Sequence, residues 1–336
     1  MRHKFYALLV LTLTLLGSKI LASETTKVAV TEQNFSHAET ARNFRNWAAQ
    51  GATKEFVKMP GLPPRGKAAP TVQMNDDTLY GVAIVERVDG KVTFSIPETD
   101  NYMAVQVVTE GGHGQHYVVE DGTYDLPVET SFAMLIFRSG TEKGIDYARS
   151  SLAKVNVQDM NFATRYRVPP YNYGEVEAWV KRYTEEVNSM ESFTYTFPRT
   201  SDQVNDLHQW NLENAAGWGG ASPEAFLGNK YANSPKMQAS ICYTTTFEDP
   251  ENRFFTSITA YDSEKYLMEG VSNVNSHTWD KNPDGTVTVS FNCGDGATNN
   301  IDTRGNDFTF TTRHYGVNPR IIESEQDPII SAVKAQ

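Results

Sequence analysis

The sequence predicts a mainly β protein, an α+β arrangement of two antiparallel β-sandwich or jelly-roll-like lobes joined by a helical connector. Three observations carry this. Two sets of short β-branched and aromatic runs, within residues 79–137 and 240–315, flank a stretch whose apolar residues recur at helical spacing. Turn pairs such as Asp89-Gly90 and Asp121-Gly122 punctuate the first set. Aromatic residues reach 11% of the chain, with 16 Tyr and 17 Phe, a usage suited to pleated, half-buried surfaces.

The opening residues read as an export signal. Arg2, His3 and Lys4 give a basic start, residues 7–17 (ALLVLTLTLLG) are apolar, and Ala22 is the expected last residue before cleavage, making residues 1–22 a signal peptide. The run is too short for a bilayer core of ~30 Å, which favours a cleaved signal over an anchor, and no Cys follows it to carry a lipid. A periplasmic or secreted protein is expected. No later stretch approaches ~18 consecutive apolar residues, so no stable membrane insertion is expected after cleavage.

Residues 31–34 offer caps for a helix in which Phe35, Ala38, Ala41, Trp47 and Ala48 recur at helical spacing until Gly51 stops it. The proline-rich segment 59–71 is a loop. Strands are expected at 79–88, 92–96, 102–108, 116–119 and 132–137, the spacing of an antiparallel sandwich or barrel. Helices are expected at 143–155, 174–190 and 202–217, the second with Val176, Trp179, Val180, Tyr183 and Val187 on one stripe. Strands resume at 240–247, 254–261, 286–291 and 307–315. The lobes are therefore residues 28–160 and 236–325, with the connector at 161–235. Two β lobes argue against a doubly wound nucleotide fold, which alternates strands and helices.

The chain of 336 residues carries a formal charge of −11. Without residues 1–22 it keeps 27 basic against 41 acidic residues, or −14. Such a surface repels phosphate backbones, so nucleic-acid binding is not expected. The two cysteines, Cys242 and Cys293, would close a loop of about 50 residues if bridged, worth ~4 kcal/mol in the chain-entropy model. The residues themselves leave that pairing open.

A resemblance follows from the motifs. Residues 74–80 (MNDDTLY) resemble the N-x-D-T-L-Y signature of the domain of unknown function 1254, with 92–97 and 102–109 fitting its next strands. Residues 217–225 (GWGGASPEA) resemble its connector. Residues 254–261 (FFTSITAY), 282–289 (NPDGTVTV) and 308–315, which contain Arg313, resemble its habitual partner, the domain of unknown function 1214. The resemblance covers nearly all of the chain after the signal. It implies an exported, two-lobed bacterial β protein and brings no established reaction. Two departures stand out. Glu110 is followed by Gly111-Gly112-His113-Gly114-Gln115-His116, where relatives tend to have a Glu-Asp-His-Tyr-like segment. Asn299-Asn300 stand where relatives often carry a second Cys, which against that pattern leaves Cys242 as the intramolecular partner of Cys293.

Several constellations bear on chemistry. Asp76 and Asp77, with Tyr80, suit general acid–base work, and with Asn75 they suit sugar hydroxyls or a cation. The same residues suit an Asx turn, in which Asn75 and Asp77 satisfy backbone donors. Glu110, His113 and His116, with Glu120 nearby, are donors for Zn²⁺ or another divalent metal, or else members of a solvated hairpin. Arg313, His314 and Arg138 lie in or beside strands, where an Arg holds a carboxylate ligand or closes an ion pair. Trp210, Trp218 and Tyr231 belong to a crowd of connector aromatics that stack on flat ligands or build core. Residues 280–285 open like a calcium loop, but Phe291 replaces the closing Glu, so a hairpin turn is expected. No nucleophile elbow, Walker loop or dinucleotide fingerprint occurs. The leading expectation is a small polar ligand or glycan held between the lobes by Asn75, Trp210, Trp218 and Arg313. The alternative is a hydrolase or lyase using Asp76 and Asp77, assisted by a divalent metal.

Overall fold

The computed structural model describes residues 26–336, except 70–71, 114–115, 192, 197 and 218–223, and describes His116 by its backbone alone. The N-terminal half contributes β1 (Val57–Lys58), β2 (Thr78–Glu86), β3 (Lys91–Ile96), β4 (Met103–Thr109), β5 (His116–Val118), β6 (Gly122–Pro127) and β7 (Phe132–Gly140). Five of these form an antiparallel sheet in the order β1-β2-β7-β4-β5, while β3 and β6 form a separate ribbon. Alternation explains the layering. Leu79, Ala83 and Val85 on β2, Val105 and Val107 on β4, and Leu135 and Phe137 on β7 face the ribbon's Val92, Phe94 and Ile96. Helix α2 (Ile145–Ala153) closes that core with Ala148 and Leu152.

The C-terminal half repeats the plan. It comprises β8 (Phe193–Thr194), β9 (Asn229–Asn233), β10 (Tyr243–Glu248), β11 (Phe255–Tyr261), β12 (Asn273–Asn275), β13 (Thr286–Phe291), β14 (Asn300–Ile301), β15 (Thr309–Tyr315) and β16 (Val333–Ala335). A five-stranded sheet, β12-β11-β15-β9-β8, packs on a four-stranded one, β14-β13-β10-β16. Ile258, Ala260, Phe310, Val287, Val289 and Phe291 fill the space between them. Each large apolar side chain buried there stabilises by about 1.5–3 kcal/mol. The protein is thus mainly β, with two sandwich lobes.

Helices α1 (Phe35–Ala49), α3 (Tyr173–Ser189) and α4 (Leu207–Ala215) gather beside the junction, and the short α5 (Pro319–Ile322) and α6 (Pro328–Ser331) close the C-terminal end. Phe35, Val176, Tyr183 and Leu212 from the first three helices share a core with Tyr102, Tyr231 and Tyr315 from the two lobes. Among the described residues no helix is long and apolar enough to cross a membrane.

Three findings go beyond the sequence reading. The stretch 161–235 is not purely helical, because β8 and β9 lie within it and pair into the C-terminal lobe's sheet beside β15. The strand β9 reads Asn-Lys-Tyr-Ala-Asn, with no apolar alternation to announce it. The ribbon strand β6, also unexpected from the sequence, is largely exposed and turn-like in composition. Finally, Cys242 and Cys293 are bonded to each other. They flank the paired ends of β10 and β13, where Tyr243 lies opposite Phe291.

Candidate functional site

The site begins with β15. Its alternation places Thr309, Thr311, Arg313 and Tyr315 on one face, opposite Tyr261, Thr259, Ser257 and Phe255 of β11. Asn233, Tyr231 and Asn229 of β9 continue the same rows. This is an almost wholly polar sheet face, and all eleven residues are buried. Polar groups removed from water need partners. Many of those partners come from the N-terminal lobe.

They arrive on the bent segment leading into β2. Gln73, Asn75 and Asp77, alternate residues, all address the C-terminal lobe. Gln73 holds a positive φ of 50°, a conformation that carries strain for a bulky side chain. Its backbone N–H donates to the Lys265 carbonyl at 2.8 Å, and its carbonyl accepts from Arg313 Nη2 at 2.9 Å. Its amide accepts from the Tyr195 hydroxyl at 2.7 Å and donates to Asn233 Oδ1 at 3.0 Å. Asn75 donates to the Tyr315 hydroxyl, and its own backbone N–H donates to the Tyr80 hydroxyl at 2.9 Å. Asp77 accepts from Asn275 Nδ2 at 2.7 Å and from Asn273 Nδ2 at 3.2 Å.

This arrangement answers the paired-acid expectation. Asp76 and Asp77 take different principal partners, Asp76 a two-point ion pair from Arg65 at 2.8 and 2.9 Å and Asp77 the amides of β12. The Ser272 hydroxyl beside β12 also reaches Asp76 at 3.5 Å, and the Asp76 charge joins burial in raising the Asp77 pKa. The Asp77 N–H donates to Asn75 Oδ1 at 2.5 Å, the Asx turn expected at this position. Burial raises the Asp77 pKa, and hydrogen bonds from Ser257 and Asn275 pull against that. Neither carboxylate lines the cavity described next, so the geometry gives the hydrolase or lyase reading no shared acid pair.

Between the two five-stranded sheets lies a cavity of about 50 Å³. Asn75, Tyr80 and Arg313, three of the expected residues, line it, together with Arg138, Gln106, Tyr195, Tyr231 and Thr311. Trp47 from α1 and Met134 and Ile136 from β7 make an apolar wall. Arg138 and Arg313 are 6% and 2% exposed. Arg138 Nη2 donates to Gln106 Oε1, and Arg313 Nη2 also donates to the Tyr261 hydroxyl. Arg138 Nε and Nη1 and Arg313 Nη1 make no well-formed hydrogen bond among the described residues, although the Tyr117 hydroxyl lies within reach of the Arg138 guanidinium.

Neither guanidinium has an ion-pair partner among the described residues; Asp77 feels Arg313 only at longer range. Burial opposes both charges, but an arginine starts so far above neutral pH that both stay protonated at any ordinary pH. The Tyr80 ring sits 5.8 Å from the Arg138 guanidinium, and the Tyr231 and Tyr261 rings each 5.4 Å from that of Arg313. Burial pushes the Tyr195, Tyr261 and Tyr315 hydroxyls far up, so they remain neutral donors and acceptors at any ordinary pH. The rim passes Val72 and Gly217, where glycine is needed. Its φ is +86°, and an added Cβ would lie 3.1 Å from Val72 Cγ2.

The other expected residues lie elsewhere. Trp210 is buried in α4 and absent from the cavity wall, and Trp218 falls outside the described residues. The Glu110 carboxylate accepts from the Phe132 N–H at 3.3 Å, and burial raises its pKa. His113 sits 3.8 Å from the Glu129 carboxylate and edge-on to His37, with burial lowering its pKa. Glu120 pairs with Arg253. The side chain of His116 lies outside the described residues. Among the described residues no three His, Cys, Asp or Glu side chains converge to hold a metal. Residues 282–285 form the expected turn, with the Gly285 N–H donating to the Asn282 carbonyl at 2.9 Å. Of the connector aromatics, Tyr231 reaches the cavity, while Trp179 stacks on Tyr183 in the helical core.

The fold is shared with the VPA0106 protein from Vibrio parahaemolyticus. At 13% identity the match covers 91% of this chain and 98% of that one, with a TM-score of 0.58. A putative uncharacterized protein from Burkholderia cenocepacia matches at 13% identity over 91% and 88% of the two chains, and its TM-score of 0.43 carries no argument. No family model matches the chain, and no curated protein matches it.

Proposed function

We propose that this is an exported protein that holds a small polar ligand in the cavity between its lobes. The observation that carries the reading is the pair of buried guanidinium groups of Arg138 and Arg313 at that cavity, which have no carboxylate ion-pair partner among the described residues and several nitrogens in no well-formed hydrogen bond. A buried, uncompensated charge costs several kcal/mol, and a guest that supplies acceptors relieves that cost. Export rests on residues 1–22 and is supported by the Cys242–Cys293 bond, which suits an oxidising compartment. The paired domains of unknown function 1254 and 1214 remain the proposed kinship. The signature segment 74–80 is then the stitch between the lobes.

The test is a ligand-observed NMR screen of small sugars, polyols and organic acids against the mature protein and its Ile136→Phe variant. The larger ring fills the apolar wall of the cavity. Ligands that bind the unaltered protein and lose binding in the variant support the reading. A screen in which nothing binds, or in which the variant binds equally well, refutes it.

A further inference from the structure

The cavity lining is of two kinds: the guanidinium groups of Arg138 and Arg313 among tyrosine hydroxyls, and the apolar side chains of Trp47, Met134 and Ile136. The last two lie on the same face of β7 as Arg138. We propose that the ligand is a short-chain carboxylate, its carboxylate group held between Arg138 and Arg313 and its hydrocarbon part laid against Trp47, Met134 and Ile136. This rests on the ligand-binding reading above and names the chemical class that the site takes.

Three observations support the class. The guanidinium nitrogens that make no well-formed hydrogen bond, Arg138 Nε and Nη1 and Arg313 Nη1, are donors, with the Tyr117 hydroxyl as the neighbour of Arg138. An ionised carboxylate is acceptor-only and forms the strongest hydrogen bonds with arginine, so it complements them without bringing a surplus donor. The charge balance points the same way, since two guanidinium groups share one small cavity and neither has an ion-pair partner among the described residues. Size sets the limit. A water molecule needs roughly 10–15 Å³ in this measure, so a cavity of about 50 Å³ takes a guest of roughly three to five non-hydrogen atoms. That excludes a disaccharide. Inorganic phosphate would fit by volume but gains nothing from an apolar wall.

The arginines come from different lobes, Arg138 from β7 and Arg313 from β15. One carboxylate between them ties the two sheets together, adding to the tie already made by Gln73, Asn75 and Asp77. Binding therefore stabilises the junction as well as filling the cavity.

The experiment is calorimetric titration of the mature protein with propionate, propionamide, inorganic phosphate and glycerol at neutral pH. Arg313→Met and Arg65→Met variants are run in parallel. Propionate is expected to bind at least tenfold more tightly than propionamide, to lose that binding in Arg313→Met and to keep it in Arg65→Met, whose ion pair lies away from the cavity. If Arg313→Met does not fold, the comparison of acid and amide on the unaltered protein decides. Propionamide binding as well as propionate, or phosphate binding as tightly as propionate, overturns the carboxylate class. Glycerol or propionamide binding alone does the same while leaving the wider ligand reading intact. No binding by any of the four overturns the carboxylate class, and the wider screen then decides the ligand reading.

Discussion

Replacing Lys265 with methionine should stabilise the protein at and below neutral pH and destabilise it slightly in alkali. The Lys265 side chain is completely buried, and its Nζ donates to Thr309 Oγ1 at 2.9 Å. Its carbonyl is the one that receives the Gln73 N–H, so it sits at the seam between the lobes. Burial lowers its pKa from 10.5 to about 7, with the Asp262 carboxylate pulling weakly the other way. A lysine whose folded pKa is lowered contributes nothing above about pH 10.5, where both states are neutral. As the pH falls the unfolded chain takes up a proton that the folded one refuses, and stability drops until about pH 7. The span from 10.5 to about 7, at about 1.4 kcal/mol per pH unit, makes that drop ~5 kcal/mol. Methionine removes the drop and forfeits one hydrogen bond of about 1 kcal/mol. Lys265→Met is therefore expected to be more stable by ~4 kcal/mol at pH 6, about equal near pH 10, and about 1 kcal/mol less stable above about pH 11.5. Urea unfolding of both proteins across that range gives the difference curve, in which other titrating groups cancel. A difference that does not change with pH would refute the reasoning.

Further expectations follow from the same geometry. Removing the Cys242–Cys293 bond by double alanine substitution frees a loop with a sequence separation of 51 and should cost ~4 kcal/mol, measured as urea midpoints with and without reductant. Equal midpoints would contradict it. Asp77 is a carboxyl whose folded pKa is raised, so its contribution is complete below 3.8 and is lost as the pH rises through the folded value. Asp77→Asn should abolish that fall, seen as a pH-dependent gap between the two proteins' melting temperatures from pH 3.5 to 7. Asp77→Ala leaves the amides of Asn273 and Asn275 without this acceptor and should destabilise by about 1–3 kcal/mol at low pH, the difference shrinking as the pH rises through the folded Asp77 pKa. Retained stability would show that this stitch does not hold the lobes.

How much of this was legible in the sequence depended on whether a face met fat or polar groups. Strands such as β2 and β13 announce themselves because Leu79, Ala83 and Val85, or Val287 and Val289, alternate toward an apolar core. The strand β9 does not, because Asn229, Tyr231 and Asn233 face the polar junction and no apolar period marks them. The site splits in the same way. Asn75, Tyr80 and Arg313 stood out as motif residues and reach the cavity. Asp76 and Asp77 looked like a pair because they are adjacent, yet the Asx turn at Asn75 gives each a different main partner, Arg65 for Asp76 and Asn275 for Asp77. Arg138 was visible as a strand arginine, but its juxtaposition with Arg313 depends on two sheets meeting, which no local pattern encodes. The one available signal was the run Thr309 to Tyr315, whose polar residues occupy both faces of a strand.

The most direct test of the central claim is native mass spectrometry of the folded protein, isolated into a volatile buffer free of added organic acids. The unaltered chain and Ile136→Phe are compared before and after denaturation. The account predicts that the unaltered protein carries a small organic molecule, released on denaturation, that Ile136→Phe lacks. The same bare polypeptide mass for both proteins, unchanged when the isolated proteins are offered propionate, would contradict it.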